Sequence, residues 1–138
     1  ALVAVACVDA SEGVAIGTTF SELGASHPSC TIETRQSSGC NAAISRYCRS
    51  LGHTTGMGPV ENSGDAAAIV CTPQATPLAT TYTALSAHMS ACDGAVERMG
   101  PDCDEAFHRW CQAEGYETGF GPLENSGDVA HAACLGTP

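Results

Sequence analysis

The spacing of apolar side chains predicts two helices in each half of the chain. Tyr82, Leu85 and Met89 lie three and four residues apart, which predicts a helix over residues 80–91 with a shorter counterpart over 18–26. The second helix of each half has an apolar face with the same spacing. Its residues are Cys40, Ile44, Tyr47, Cys48 and Leu51 in the first half, and Cys103, Phe107, Trp110 and Cys111 in the second.

The ends of the second helices carry recognisable signals. We expect Gly52 and Gly115 to end them, because glycine readily adopts the left-handed conformation that follows a helix. We expect Asp102 to cap the start of the helix in the second half, because a short acidic side chain can accept hydrogen bonds from the first turn.

Two short extended segments follow the second helix in each half. They cover residues 54–60 and 66–72, then 117–123 and 129–135. The sequence Glu-Asn-Ser-Gly-Asp joins each pair, and Asn, Gly and Asp are typical of hairpin turns. The pattern therefore predicts an α+β fold of two tandem disulfide-stapled modules, each with two short helices followed by a small antiparallel β-hairpin.

The tandem arrangement is predicted from an internal repeat. Residues 40–72 and 103–135 align without a gap at an offset of 63, and 16 of the 33 positions are identical. This period is long for a solenoid and fits two modules, which we place at 11–73 and 74–138. By register, residues 1–10 are the terminal strand of a preceding repeat unit. The alternative is a mature N-terminus whose first strand replaces that of the lost unit.

The cysteines predict the compartment and a bonding scheme. Nine cysteines in 138 residues, with no Cys-x-x-Cys pair, favour disulfides over zinc and hence a secreted or cell-surface protein. Cys40 and Cys48 lie eight residues apart on one helix, roughly 12 Å, too far for a disulfide. We favour Cys30–Cys40, Cys48–Cys71, Cys92–Cys103 and Cys111–Cys134, with Cys7 unpaired. The crossed scheme, Cys30–Cys48 with Cys40–Cys71, is the second choice.

Composition excludes several classes of protein. Fifteen acidic residues against five basic ones, all of them arginine, give a net charge of -10, which argues against a nucleic-acid partner. No apolar run approaches the roughly 20 residues of a membrane span. With 43% hydrophobic and 14% charged residues, the chain can form a core and is not predicted to be disordered.

The block Glu-Asn-Ser-Gly-Asp is the longest identical stretch of the repeat and the predicted ligand site. Each copy offers two carboxylates, an amide and a hydroxyl beside apolar or aromatic side chains, a combination that suits hydroxyl-rich ligands such as glycans. The predicted binding residues are His53, Glu61, Asn62, Asp65, Tyr116, Phe120, Glu124, Asn125 and Asp128.

Other interpretations of the block remain open. The oxygen cluster suits Ca²⁺, or the block is only a turn whose acidic groups satisfy local backbone donors. Arg46 and Arg109 occupy matching positions and are expected to form structural salt bridges with an acidic residue of the hairpin. His108 is a weak metal candidate because its counterpart is Ser45. No metal site, resident cofactor or catalytic residue is predicted, since modules of this size rarely form the cleft that paired carboxylates need.

These features predict a non-catalytic, extracellular tandem-repeat binding module that recognises glycans or another cell-surface ligand through its hairpins, as in lectin-like adhesion. Tandem display favours this function because linked weak sites gain from effective concentration. The alternative is a structural subunit of an extracellular filament or surface layer, whose partners are other copies of the repeat. The incomplete preceding unit and the orphan Cys7 favour the alternative.

Overall fold

The computed structural model describes Cys7 and residues 13–95 and 98–136, and these residues form an α+β fold. The predicted strand at 1–10 therefore lies, apart from Cys7, outside the described residues. In chain order the elements are β1 Val14–Thr19, α1 Phe20–Ser26, α2 Ser38–Ser50, β2 Thr55–Ser63, β3 Ala66–Thr72, β4 Thr76–Thr81, α3 Tyr82–Ser86, α4 Pro101–Ala113, β5 Thr118–Phe120, β6 Asn125–Ser126 and β7 Val129–Leu135.

The strands of the described residues form two antiparallel sheets with corresponding strand orders, β1-β3-β2 and β4-β7-β5. Strand β6 continues the line of β5 and also pairs with β7. The apolar pattern did not predict β1 and β4, because they are six-residue strands of small residues, VAIGTT and TPLATT, without a clear apolar alternation.

The first helix of each half is shorter than predicted. Thr19 and Thr81 end strands β1 and β4, and their hydroxyl oxygens accept hydrogen bonds from the amides of Glu22 and Ala84, both 3.0 Å long. The predicted starts at residues 18 and 80 are therefore wrong, since the threonines cap the helices from outside. Helix α3 also ends at Ser86, ahead of the predicted end at residue 91, and turns follow it.

The second helices match the pattern more closely. The Ser37 hydroxyl caps α2 by accepting a 3.2 Å hydrogen bond from the Cys40 amide. The prediction that Asp102 caps α4 is wrong, because Pro101 already occupies the first helical position and Gly100 precedes it. Gly52 and Gly115 follow the two helices with φ of 94° and 100°, as expected of residues that end a helix.

The helices and sheets enclose two cores. The larger buried residues are Phe20, Leu23, Ile44 and Ile69 in one, and Tyr82, Leu85 and Phe107 in the other. Tyr47 and Trp110 pack against the edges of these cores, as the sequence predicted.

Four disulfides brace the two cores among the described residues, with Cα–Cα distances between 4.4 and 5.5 Å. The pairs are those of the favoured scheme, namely Cys30–Cys40, Cys48–Cys71, Cys92–Cys103 and Cys111–Cys134. Cys7 is free and exposed. The disulfides are consistent with a secreted or extracellular protein. Of the helices in the described ranges, none has the length and hydropathy needed to cross a membrane.

The first repeated block lies mostly in a strand. Residues 61–63 pair with β3 through residues 66–68, and the turn itself consists of Gly64 and Asp65. In the second copy, β5 ends at Phe120 and pairing resumes at Asn125. The four residues between them carry the contacts described next.

Candidate functional site

The last aspartate of each block is held at the start of a helix. One oxygen of Asp65 accepts from the Ser21 amide at 3.2 Å and the other from the Ser21 hydroxyl at 2.9 Å. Asp128 makes the same two bonds to Thr83, at 3.2 and 2.9 Å. The backbone carbonyls of the two aspartates also accept from the first residue of each helix. Both carboxylates therefore join a hairpin turn to a helix N-terminus, where negative charge is favourable.

Glu124 joins the second hairpin to helix α2 of the first half. Its carboxylate accepts bonds of 2.7 Å from both Nε and Nη2 of Arg46, and a longer bond of 3.4 Å from Nη2 of Arg49. These bonds stabilise the charged form, so the Arg46 guanidinium holds the pKa of Glu124 below its usual range. The pair is partly exposed, with 41% of the Arg46 side chain and 30% of the Glu124 side chain accessible.

A second polar bond reinforces this contact between the halves. The Asn41 side-chain amide, one turn before Arg46 on α2, donates to the Pro122 carbonyl at 3.1 Å. Helix α2 therefore binds both ends of the segment Pro122–Leu123–Glu124, which we call the second strip. Leu123 itself packs with Ala75, Ala133 and Leu135. The prediction that a hairpin acid pairs with Arg46 is confirmed, although the sequence did not indicate that the acid would come from the other half. The same prediction for Arg109 is wrong, because Arg109 pairs with Glu105 on its own helix.

Asn125 is also bound within the protein. Its side-chain oxygen accepts from Nη1 of Arg98, whose guanidinium lies over the Tyr82 ring, 4.5 Å from the centroid. Burial raises the pKa of the Tyr82 hydroxyl, and Arg98 opposes that rise. Arg98 was not predicted as a site residue, although Arg35 lies 63 residues before it, at the offset of the repeat.

Glu61 and Asn62 of the first hairpin have a different environment. Both are exposed, and neither side chain forms a hydrogen bond or ion pair with another described residue, although their backbones pair with β3. They border an open groove of about 530 Å³ whose wall includes Thr18, Glu22 and Ser63. The predicted site residue His53 does not line this groove, and neither does Met57. The first hairpin thus borders a groove with free carboxylate and amide side chains, whereas Glu124 and Asn125, which line a smaller pocket at the second hairpin, are bound by arginines.

The aromatic residues predicted beside the second hairpin are packed inward. Tyr116 lies against the core that contains Phe107. Phe120 packs against the small cluster around Leu123. Both rings are therefore partly buried against apolar residues and partly exposed.

The glycines before each block accommodate a disulfide. A Cβ at Gly56 would meet the Cys48 sulfur, and one at Gly119 would meet the Cys111 sulfur. Gly58–Pro59 and Gly121–Pro122 are cis peptide bonds in both copies. In both copies the first glycine of the Gly-x-Gly-Pro segment therefore packs against the chain's own disulfide, where a larger residue would not fit.

His108 makes a local contact. Its Nδ1 lies 2.8 Å from the Thr118 hydroxyl, and the matching pair in the first half, Ser45 and Thr55, is 2.9 Å apart and buried. The residues in both positions thus bridge helix and strand. Across 13–95 and 98–136, no three His, Cys, Asp or Glu side chains group closely enough to hold a metal ion.

The chain matches none of the protein-family models scanned, none of the curated proteins searched and none of the solved structures searched.

Proposed function

We propose that the chain is a non-catalytic, extracellular structural protein, built from two tandem disulfide-braced modules whose repeated hairpins act as joints. This is the alternative of the sequence analysis. The observation that carries it is the bidentate pair of Arg46 and Glu124, which connects the helix of one module to the hairpin of the next.

The hydrogen bonds that the repeated block forms within the protein favour this structural function over ligand binding. Asp65 and Asp128 hold the hairpins to helices, and Glu124 and Asn125 are bound by arginines. An acid already engaged by the protein has fewer free lone pairs, and less freedom to reorient, for binding a sugar hydroxyl or a cation. The aspartate contact therefore recurs in each module, whereas the glutamate contact forms only at the second hairpin.

Rigidity is the property that distinguishes a joint from a flexible linker. In such a joint, removing Arg46 frees the second strip while leaving both disulfide-braced cores folded. The Leu123 amide, which donates to the His131 carbonyl at 2.7 Å, is a local reporter of that strip.

The test compares Arg46→Ala with Arg109→Ala, the matching arginine on α4, by amide hydrogen exchange and small-angle scattering of dilute protein. We expect faster exchange at Leu123 and a broader distribution of sizes in Arg46→Ala only. Equal exchange at the Leu123 amide in both variants, or independent motion of the two halves in the wild type, would contradict the proposed joint.

Glycan binding at the first hairpin is the second candidate function, because Glu61 and Asn62 border an open groove and have no partner among the described residues. It predicts binding on a glycan array that Glu61→Gln abolishes and that Glu124→Gln leaves unchanged. Chelator-sensitive binding would assign calcium to the site. Glycan binding with this pattern would replace the proposed structural function, and the absence of glycan binding would support the structural function.

A further inference from the structure

The strip that α2 covers in the second half has an uncovered counterpart in the first. Pro59, Val60 and Glu61 correspond to Pro122, Leu123 and Glu124, and we call them the first strip. Pro122 is fully buried whereas Pro59 is only partly so. Val60 is 56% exposed whereas Leu123 is 4% exposed. The first strip therefore presents the same sequence pattern without the helix that binds it.

The helix face that would bind this strip is also uncovered at the other end of the chain. Arg109 on α4 corresponds to Arg46 on α2. Nη1 of Arg46 donates to the Ser26 carbonyl at 3.1 Å, and Nη1 of Arg109 donates to the His88 carbonyl at 3.2 Å. The Arg109 side chain is thus held by the same type of backbone contact, and half of it is exposed. A carboxylate arriving there would find an arginine already oriented.

We propose that a second copy of this chain docks head to tail, with α4 of one copy on the first strip of the other. The inference rests on the proposed structural function. Arg109 would take the place of Arg46, and Glu61 that of Glu124. Two observations commit the surface to a copy of the chain: Arg109 and Glu61 carry opposite charges, and the contact reproduces one that already exists between the halves. Because the contact is heterologous, it continues into a filament if its rotation does not close a ring.

The α4 face differs from α2 in a way that weakens this contact. Ala42, which is 4% exposed on α2, is replaced by Glu105, and Glu105 forms an ion pair with Arg109 within the helix. Asn41 is replaced by Asp104, which when ionised cannot donate to a carbonyl. With a net charge of -10 on each copy, association between free chains is therefore weak and benefits from salt screening of the overall repulsion.

The experiment is a charge exchange followed by sedimentation equilibrium, in a Cys7→Ser background that prevents disulfide dimers. Wild type, Glu61→Arg, Arg109→Glu and an equimolar mixture of the two variants are compared up to about 1 mM, where weak contacts are populated. We expect wild type to associate reversibly, and each variant alone to associate about tenfold more weakly because like charges meet. The mixture should recover, since every Arg-to-Glu contact is restored between unlike copies.

If wild-type association is too weak to measure, a variant whose α4 surface resembles that of α2 tests the proposal. Asp104→Asn with Glu105→Ala gives α4 the residues of α2, and we expect at least about tenfold tighter association, abolished by Glu61→Arg. Monomer at 14.0 kDa throughout, for both wild type and this variant, would overturn the proposal. So would association that Glu61→Arg leaves unchanged. Either failure would leave the joint within the chain, tested on dilute monomer, unaffected.

Discussion

The carboxylate of Glu124 accepts two hydrogen bonds of 2.7 Å from the guanidinium of Arg46, across 78 residues of sequence. The identical carboxylate of Glu61, in the same five-residue block, has no partner among the described residues. The same motif therefore occurs in two environments, and the surface packed against each copy determines whether its glutamate is bound.

The free energy of the joint can be measured by a double-mutant cycle. For Arg46→Ala and Glu124→Ala we expect a coupling of about 0.5–1 kcal/mol in urea unfolding, because the pair is bidentate but partly exposed. The same cycle on Arg109 and Glu61 in dilute protein is the control, with an expected coupling near zero. A coupling at Arg46 and Glu124 no larger than the control would contradict the role of this pair.

The joint should also weaken in acid. Arg46 lowers the pKa of Glu124 in the folded state. The pair's contribution to the unfolding free energy is therefore complete above the ordinary glutamate pKa of about 4.3 and is lost as pH falls through the lowered pKa of Glu124. The difference in unfolding free energy between wild type and Glu124→Gln should therefore be constant from pH 7 to about 5 and shrink below about 4. Glu61→Gln is the matched control. A difference for Glu124→Gln that stays constant down to pH 2.5 would refute the assignment.

The two aspartates should behave as helix caps. Asp65→Ala and Asp128→Ala each remove two bonds to a first turn, and we expect each to lower the free energy of unfolding by about 0.5–2 kcal/mol. Glu61→Ala, an exposed acid of the same block, should change it by less than about 0.5 kcal/mol. Denaturant titration monitored by circular dichroism provides the values. Equal effects at Asp65 and Glu61 would rule out capping.

The glycines that face the disulfides should not tolerate a methyl group. At Gly56 or Gly119 an added Cβ would meet a cystine sulfur and, at 2.7 Å, the carbonyl oxygen of Val70 or Ala133. We expect each alanine variant to lose about 1–3 kcal/mol of stability from overpacking. Gly17→Ala is the control, since nothing lies within 4 Å of its added Cβ. Thermal unfolding provides the comparison, and equal melting temperatures for all three variants would exclude the steric explanation.

Local chemistry explains which features could be predicted. The apolar face of residues 40–51 and the glycines after both second helices predicted α2 and α4 well, because helix formation depends on spacing and end residues that lie close in sequence. The distance between Cys40 and Cys48 on one helix excluded, on geometry alone, the disulfide scheme that pairs these two cysteines. Strands β1 and β4 were missed because their stability comes from pairing with β3 and β7, which lie far away along the chain.

The sequence by itself determined the repeat, the mixed helical and sheet character and the number of cysteines that each copy contributes to disulfides. Only the tertiary structure decided that Asp65 and Asp128 hold helices, that Glu124 reaches Arg46 and that Glu61 stays free. The physical reason is that two identical blocks have identical local preferences. Their hydrogen bonds and burial depend on the surface that packs against each, and that surface differs between the two ends of the chain.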